Sequence, residues 1–215
     1  MLAGLLSVLL VAGVIGLGVF IATDDPAPPD VVATTAAPPA GTAETATPTP
    51  TSIEDPPPVK TKTLVAAARA AGCTLENPPE QGVEHEQREF TEADYNSNPP
   101  TSGTHFPTWY EDGVYAPGTT PELGRLVHAL EHGRIEIQYR PGTPSATVSR
   151  LEKLSDELDS GYHILLFENA TKMPYAVAAT AWGHLLGCPK MNDRVFDALR
   201  AFRKNYVDKG PETVP

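Results

Sequence analysis

The feature that most constrains the fold lies at the N terminus, where Met1 to Ala22 carries no charged side chain and consists mostly of Leu, Val, Ile, Gly and Ala. A run of roughly 20 apolar residues is the length of one membrane-crossing helix, because 1.5 Å per residue must cover about 30 Å of hydrocarbon. The following charges, Asp24, Asp25 and Asp30, are acidic, and the first basic residue is Lys60. Basic residues are retained on the cytoplasmic side, so this flank directs the rest of the chain outward. Residues 1–22 therefore read as a transmembrane helix or signal anchor at the cell membrane. Phe20-Ile21-Ala22-Thr23 lacks a clean small-x-small cleavage site, which favours an anchor over secretion after cleavage. No Lys or Arg precedes the apolar run, which points to a start upstream of Met1 or to insertion without that cue.

Residues 23–58 are mainly Pro, Thr, Ala and Asp. Such a segment cannot bury enough apolar surface to offset its ordering entropy, and its prolines favour an extended spacer. It reads as a disordered linker, with a composition that also permits a glycosylated Thr/Pro stalk. The foldable part is thus residues 59–215, long enough for one core. The chain carries a net charge of −11, and the linker acids (Asp24, Asp25, Asp30, Glu44, Glu54, Asp55) account for all but −5 of it. With no basic stripe, nucleic acid is not an expected partner. The expected contact is the membrane, through the N-terminal helix; the sequence names no protein partner. Cys73 and Cys188 are the two cysteines, and outside the cell such a pair is expected to form a disulfide.

Within residues 59–215 the pattern alternates between helix and strand. Thr61 to Ala71 is Ala-rich and stops at Gly72. Pro121 to Glu131 and Ser145 to Leu158 have helical spacing, and Asn192 caps a last helix from Asp193 to about Tyr206. Arg134 to Tyr139 alternates polar and apolar residues and reads as a strand. Tyr162 to Phe167 and Tyr175 to Trp182 also read as strands, joined by a turn through Asn169. Glu76 to Trp109 holds Asn-Pro-Pro twice and reads as a long Pro/Gly/Asn-rich loop. The expectation is an α+β fold: a small antiparallel or mixed sheet with packed helices and that loop.

The chemistry concentrates in the histidines. His128 and His132 stand at i and i+4, so both imidazoles leave one face of the predicted helix and can chelate one ion. His85 and His105 lie on the loop, which could fold over that helix and complete the set. Gly103, Pro99 and Pro100 would make the loop a rigid platform aiming His105 at the helical pair. Imidazole ligands suit copper or zinc, the reasonable ions outside the cell. A metal site of His128, His132, His105 and His85, with Glu131 as a possible base or ligand, is the leading reading. His128-Ala129-Leu130-Glu131-His132 also fits the H-x-x-E-H zinc-protease signature, so a metal-dependent hydrolase using Glu131 as base is an alternative. That helix stops at Gly133, and a distal carboxylate ligand is not evident. A third reading is a structural or protein-interaction module whose histidines knit the loop without metal. His163 and His184 read as structural, Met173 as packing more than as a copper ligand, and Ser102 lacks the elbow and acid partner of a nucleophile.

The strings YNSNPPTSGTHFP, GVYAPG, LVHALEHGRIEIQY and TAWG, with AGC and GVEH upstream, resemble a bacterial family catalogued as domain of unknown function 3105, over roughly Ala71 to Pro211. The resemblance implies secreted or membrane-anchored proteins of unestablished biochemical role. It places His85, His105, His128, Glu131 and His132 on motif positions and brings no catalytic assignment. Relatives often carry a basic tract before the apolar segment, which this chain lacks.

Overall fold

The computed structural model describes residues 54–213. The candidate anchor and most of the linker lie outside the described residues, and none of the described helices is long and apolar enough to cross a membrane. Among the described residues the fold is α+β, with four α-helices and a six-stranded mixed sheet. In chain order these are α1 (Leu64–Ala71), β1 (Thr74–Glu76), β2 (Gly113–Val114), α2 (Leu123–Glu131), β3 (Ile135–Tyr139), α3 (Ser145–Glu157), β4 (Ile164–Glu168), β5 (Val177–Ala181), β6 (His184–Cys188) and α4 (Asp193–Tyr206). The sheet order is β1-β6-β5-β3-β4-β2. Strand β4 runs parallel to β3 and β2, and the remaining pairings are antiparallel. The parallel β3–β4 pair is connected through α3, as a parallel pair requires a crossover.

Each face of the sheet buries a different kind of surface. On β3, Ile135, Ile137 and Tyr139 face α1, α3 and α4 in a continuous apolar core with Leu151, Leu154, Ile164, Leu166, Leu186, Phe196 and Phe202. Ala67, Ala68 and Ala71 on α1 are small enough to bring that helix close to α4. The disulfide Cys73–Cys188 joins the start of β1 to the end of β6 across a sequence separation of 115. Closing a loop of that size stabilises by about 4–5 kcal/mol on the chain-entropy account. The opposite face is covered by α2 and the long loop. There Glu136 and Gln138 are buried as fully as their apolar neighbours, so the alternation in β3 marks two buried faces and no solvent face.

Three local details depart from the sequence expectation. Helix α1 begins at Leu64 and not Thr61, because the backbone N–H groups of Lys60 and Thr61 donate to Asp197 Oδ2 at 3.1 and 2.9 Å, holding that stretch extended along α4. The turn through Asn169 does not join neighbouring strands: β3 lies between β4 and β5, and Asn169 N donates to Tyr139 O at 2.7 Å as the chain crosses the end of β3. Strand β6 follows β5 in a tight hairpin through Trp182-Gly183, with Gly183 at φ +70°.

Candidate metal centre

The long loop is built by side chains that replace a backbone ladder. Asn96 donates through Nδ2 to Pro79 O at 2.7 Å, and its N–H donates to Gln81 Oε1 at 2.7 Å. Asn98 donates to Thr171 O at 2.8 Å, and Tyr95 OH donates to Thr104 O at 3.1 Å. Gly103 sits at φ +129°, and a Cβ there would lie 3.1 Å from the Tyr95 ring, so both conformation and space require glycine. The hydroxyl of buried Ser102 accepts from Gln81 N at 3.2 Å, a scaffold contact.

These contacts bring two distant parts of the loop side by side. His105 N donates to Glu84 O at 3.0 Å, and Glu86 N donates to His105 O at 2.8 Å, a parallel bridge pairing His85 with His105. Phe106 N donates to Gly124 O at 3.2 Å, docking the loop on the first turn of α2. A side chain at Gly124 would strike Phe90, 2.4 Å from its Cβ position, so a glycine there permits the close approach.

The result is a cluster in which one ligand atom from each of His85, His105, His128 and Glu131 lies within 4.8 Å of the others. His105 Nε2 stands 3.1 Å from His85 Nε2 and 3.0 Å from Glu131 Oε2. His85 Nε2 is 3.4 Å and His128 Nε2 3.9 Å from the same carboxylate oxygen. His105, His128 and Glu131 are buried, and His85 forms the exposed side. His132 remains next to His128, Nε2 to Nε2 3.0 Å, but falls in an adjoining group with Glu131 and Glu212. The structure thus divides the four histidines: three share the first group with Glu131, and the fourth turns toward the C-terminal segment.

Hydrogen bonds on the far sides of the rings set their tautomers. His105 Nδ1 is 2.7 Å from Gly103 O, and His128 Nδ1 is 2.6 Å from Phe106 O. A carbonyl can only accept, so each Nδ1 carries the proton and each Nε2 turns a lone pair into the cluster. The His105 lone pair then faces a carboxylate oxygen at 3.0 Å, an acceptor against an acceptor. Such a contact needs a cation between the two atoms, either a proton or a metal ion. Imidazoles oriented through the outer nitrogen by a backbone carbonyl are also the arrangement found around bound metals.

The electrostatics agree. Burial lowers the His105 and His128 pKa values below the ordinary imidazole range and takes His132 down to about 4. The three rings therefore stay neutral, as ligands must be. Burial, aided by Glu212, raises the Glu131 carboxyl, a cost that a bound cation would remove. Trp109 packs its ring 5.2 Å from His128 and 4.4 Å from His132, and Trp182 stands edge-on 6.0 Å from His105, so aromatic walls flank the cluster.

The other candidates lie elsewhere. His163 Nδ1 pairs with Asp208 Oδ1 at 2.7 Å. His184 Nδ1 bonds Asn77 Oδ1 at 2.6 Å and its ring stacks on Tyr206. Met173 is buried with Ala178 and Leu185. Glu212 and Trp109 were not marked by any local pattern in the sequence; Glu212 reaches the site only because the C-terminal segment folds back.

Fold and site together define a class: an α+β domain whose loop-covered sheet face holds a buried His/Glu cluster able to accommodate a metal ion. Residues 86–214 match the family described as protein of unknown function (DUF3105), and the chain belongs to it. The matched stretch begins one residue after His85 and takes in the rest of the cluster. Neither the curated proteins nor the solved structures contain a match.

Proposed function

We propose that this protein is a membrane-anchored extracytoplasmic domain that binds a transition metal, copper or zinc, for sequestration or delivery. The observation that carries the reading is the facing of acceptors: the His105 lone pair against the Glu131 carboxylate, with His85 and His128 within 4.8 Å. Three imidazoles and one carboxylate are a ligand set suited to either ion. Glu131 lies among the ligand atoms and not one water beyond them, the place a general base would take, which supports binding over hydrolysis. The outward orientation rests on the acidic flank of the apolar N-terminal run.

The test is titration of the full chain, stripped with chelator and carrying no histidine tag, with copper(I), copper(II) and zinc. Tight binding should drop at least 100-fold in His105→Ala and in His128→Ala while the circular dichroism spectrum holds. Binding unchanged in both variants would overturn the assignment of these ligands.

A further inference from the structure

The C-terminal segment is strapped across the end of α2. Helix α2 closes at His132, and Gly133 turns the chain at φ +78°. Asp208 N donates to Gly133 O at 2.9 Å, and Glu212 N donates to Glu131 O at 3.1 Å. Between these two bonds Gly210 passes so close that a Cβ on it would lie 2.0 Å from Glu131 O and 2.4 Å from Gly133 N. Only glycine fits there, so the strap is seated by backbone contact and not by chance side-chain packing. It places Glu212 Oε2 3.4 Å from His132 Nε2.

Glu131 belongs to both groups. It closes the set with His85, His105 and His128, and it also stands with His132 and Glu212 within 4.8 Å. The two sets touch directly through the 3.0 Å contact of His128 Nε2 with His132 Nε2. The His132 ring is buried and lacks the outer carbonyl bond that holds His105 and His128, its Nδ1 having no partner among the described residues. Its polar side-chain contacts, to His128 Nε2 and Glu212 Oε2, are both made through Nε2. Glu212, by contrast, is half exposed, which leaves the second set open to solvent.

We infer that the centre takes two metal ions, one held by His85, His105 and His128 and a second by His132 and Glu212, with Glu131 bridging them. A carboxylate spans two ions in this way at the separation of about 3.5–4 Å usual in two-metal sites. Two divalent ions against two carboxylates leave two positive charges, one of which a solvent hydroxide on the open side can neutralise. The inference rests on the metal-binding reading above and adds the second ion and the role of the strap.

Stoichiometry and magnetic coupling test it together. The full chain, stripped of metal, is titrated with copper(II) and zinc, and the copper-loaded form is examined by electron paramagnetic resonance. Two equivalents are expected, with the half-field signal of a coupled copper pair. Glu212→Gln, which keeps the backbone bond to Glu131, should bind one equivalent and show an uncoupled copper spectrum. Glu131→Gln should also lose the half-field signal, because the bridge is gone. One equivalent in the wild type, unchanged in Glu212→Gln, would overturn the second ion and leave the first site standing. No binding in the wild type would overturn both.

Discussion

The two faces of one sheet were built by different rules. The face under α1, α3 and α4 packs one continuous apolar cluster, from Ile135 and Ile137 to Phe196 and Phe202. The face under α2 and the long loop buries Glu136, Gln138, Thr180, Asn169 and Thr171 with the histidines, between smaller apolar clusters such as Leu126, Ala129, Leu165 and Phe167. Gln138 Nε2 donates to Glu136 Oε2 at 2.9 Å, Thr180 Oγ1 donates to the same oxygen at 3.1 Å, and Asn169 Nδ2 donates to Gln138 Oε1 at 2.7 Å. An apolar face tolerates rearrangement as long as volume is kept. A polar one is fixed by the geometry of each bond, and each partner removed leaves another unsatisfied. The contrast teaches that one side of the domain supplies stability and the other supplies position.

Breaking the apolar side should cost stability and leave metal binding intact. The largest effect is expected from the double variant Cys73→Ser/Cys188→Ser, which opens the disulfide and should lower stability by about 4–5 kcal/mol, read from denaturant unfolding. Should that loss be absent, the bridge would contribute nothing to the fold.

A comparable effect comes from the polar side and depends on pH. Burial pushes the Glu136 carboxyl up to about 8, above its value in the unfolded chain. The native state then holds a proton that the unfolded state releases, so this group's contribution is full below about pH 4.5 and is lost as pH rises toward 8. Subtracting the Glu136→Gln stability curve from that of the wild type should isolate a decline on the order of 4 kcal/mol across that window. Buried His132, with its pKa lowered to about 4, acts oppositely, adding stability as pH rises from 4 to 6.5. It is common to both proteins and cancels in the difference. A flat difference curve would mean that Glu136 is ionised in the fold.

Leu151→Ala, on the helix side, should cost about 3 kcal/mol through cavity formation with no change in metal stoichiometry. Asn98→Ala, which frees Thr171 O from its 2.8 Å bond, should cost about 2 kcal/mol and weaken metal affinity as well, because the loop carries His105. Equal metal affinity in Asn98→Ala and Leu151→Ala would erase the distinction between the two faces.

The apolar side was also the legible one. Val148, Leu151 and Leu154 at helical spacing, and Asn192 as a cap accepting from Arg194 N at 2.9 Å, gave local signals that the structure follows. Short β1 and β2 carry too few residues to show a period. The hairpin partner β6, His184–Cys188, is broken in pattern by Gly187, which lies so close to the Tyr175 ring that a Cβ would meet it at 2.3 Å. At the site, the i, i+4 spacing pointed to His128 and His132, and the density of Pro, Asn and Gly pointed to the loop that brings His85 and His105. What spacing could not give was the division of the pair: His132 terminates α2, and its ring meets Glu212 from a segment 80 residues away. That contact depends on the strap at Gly210, a tertiary event without a local signature.

The central claim is that the histidine face holds a metal. The direct measurement is elemental mass spectrometry on the full chain, expressed into an oxidising compartment and purified untagged, followed by reloading with copper(I), copper(II) and zinc. The expected result is copper or zinc at one equivalent or more, reduced to background in the His105→Ala/His128→Ala double variant. A folded wild-type chain that holds neither ion under any of these conditions would contradict the account and make the cluster a proton-linked clasp between loop and helix.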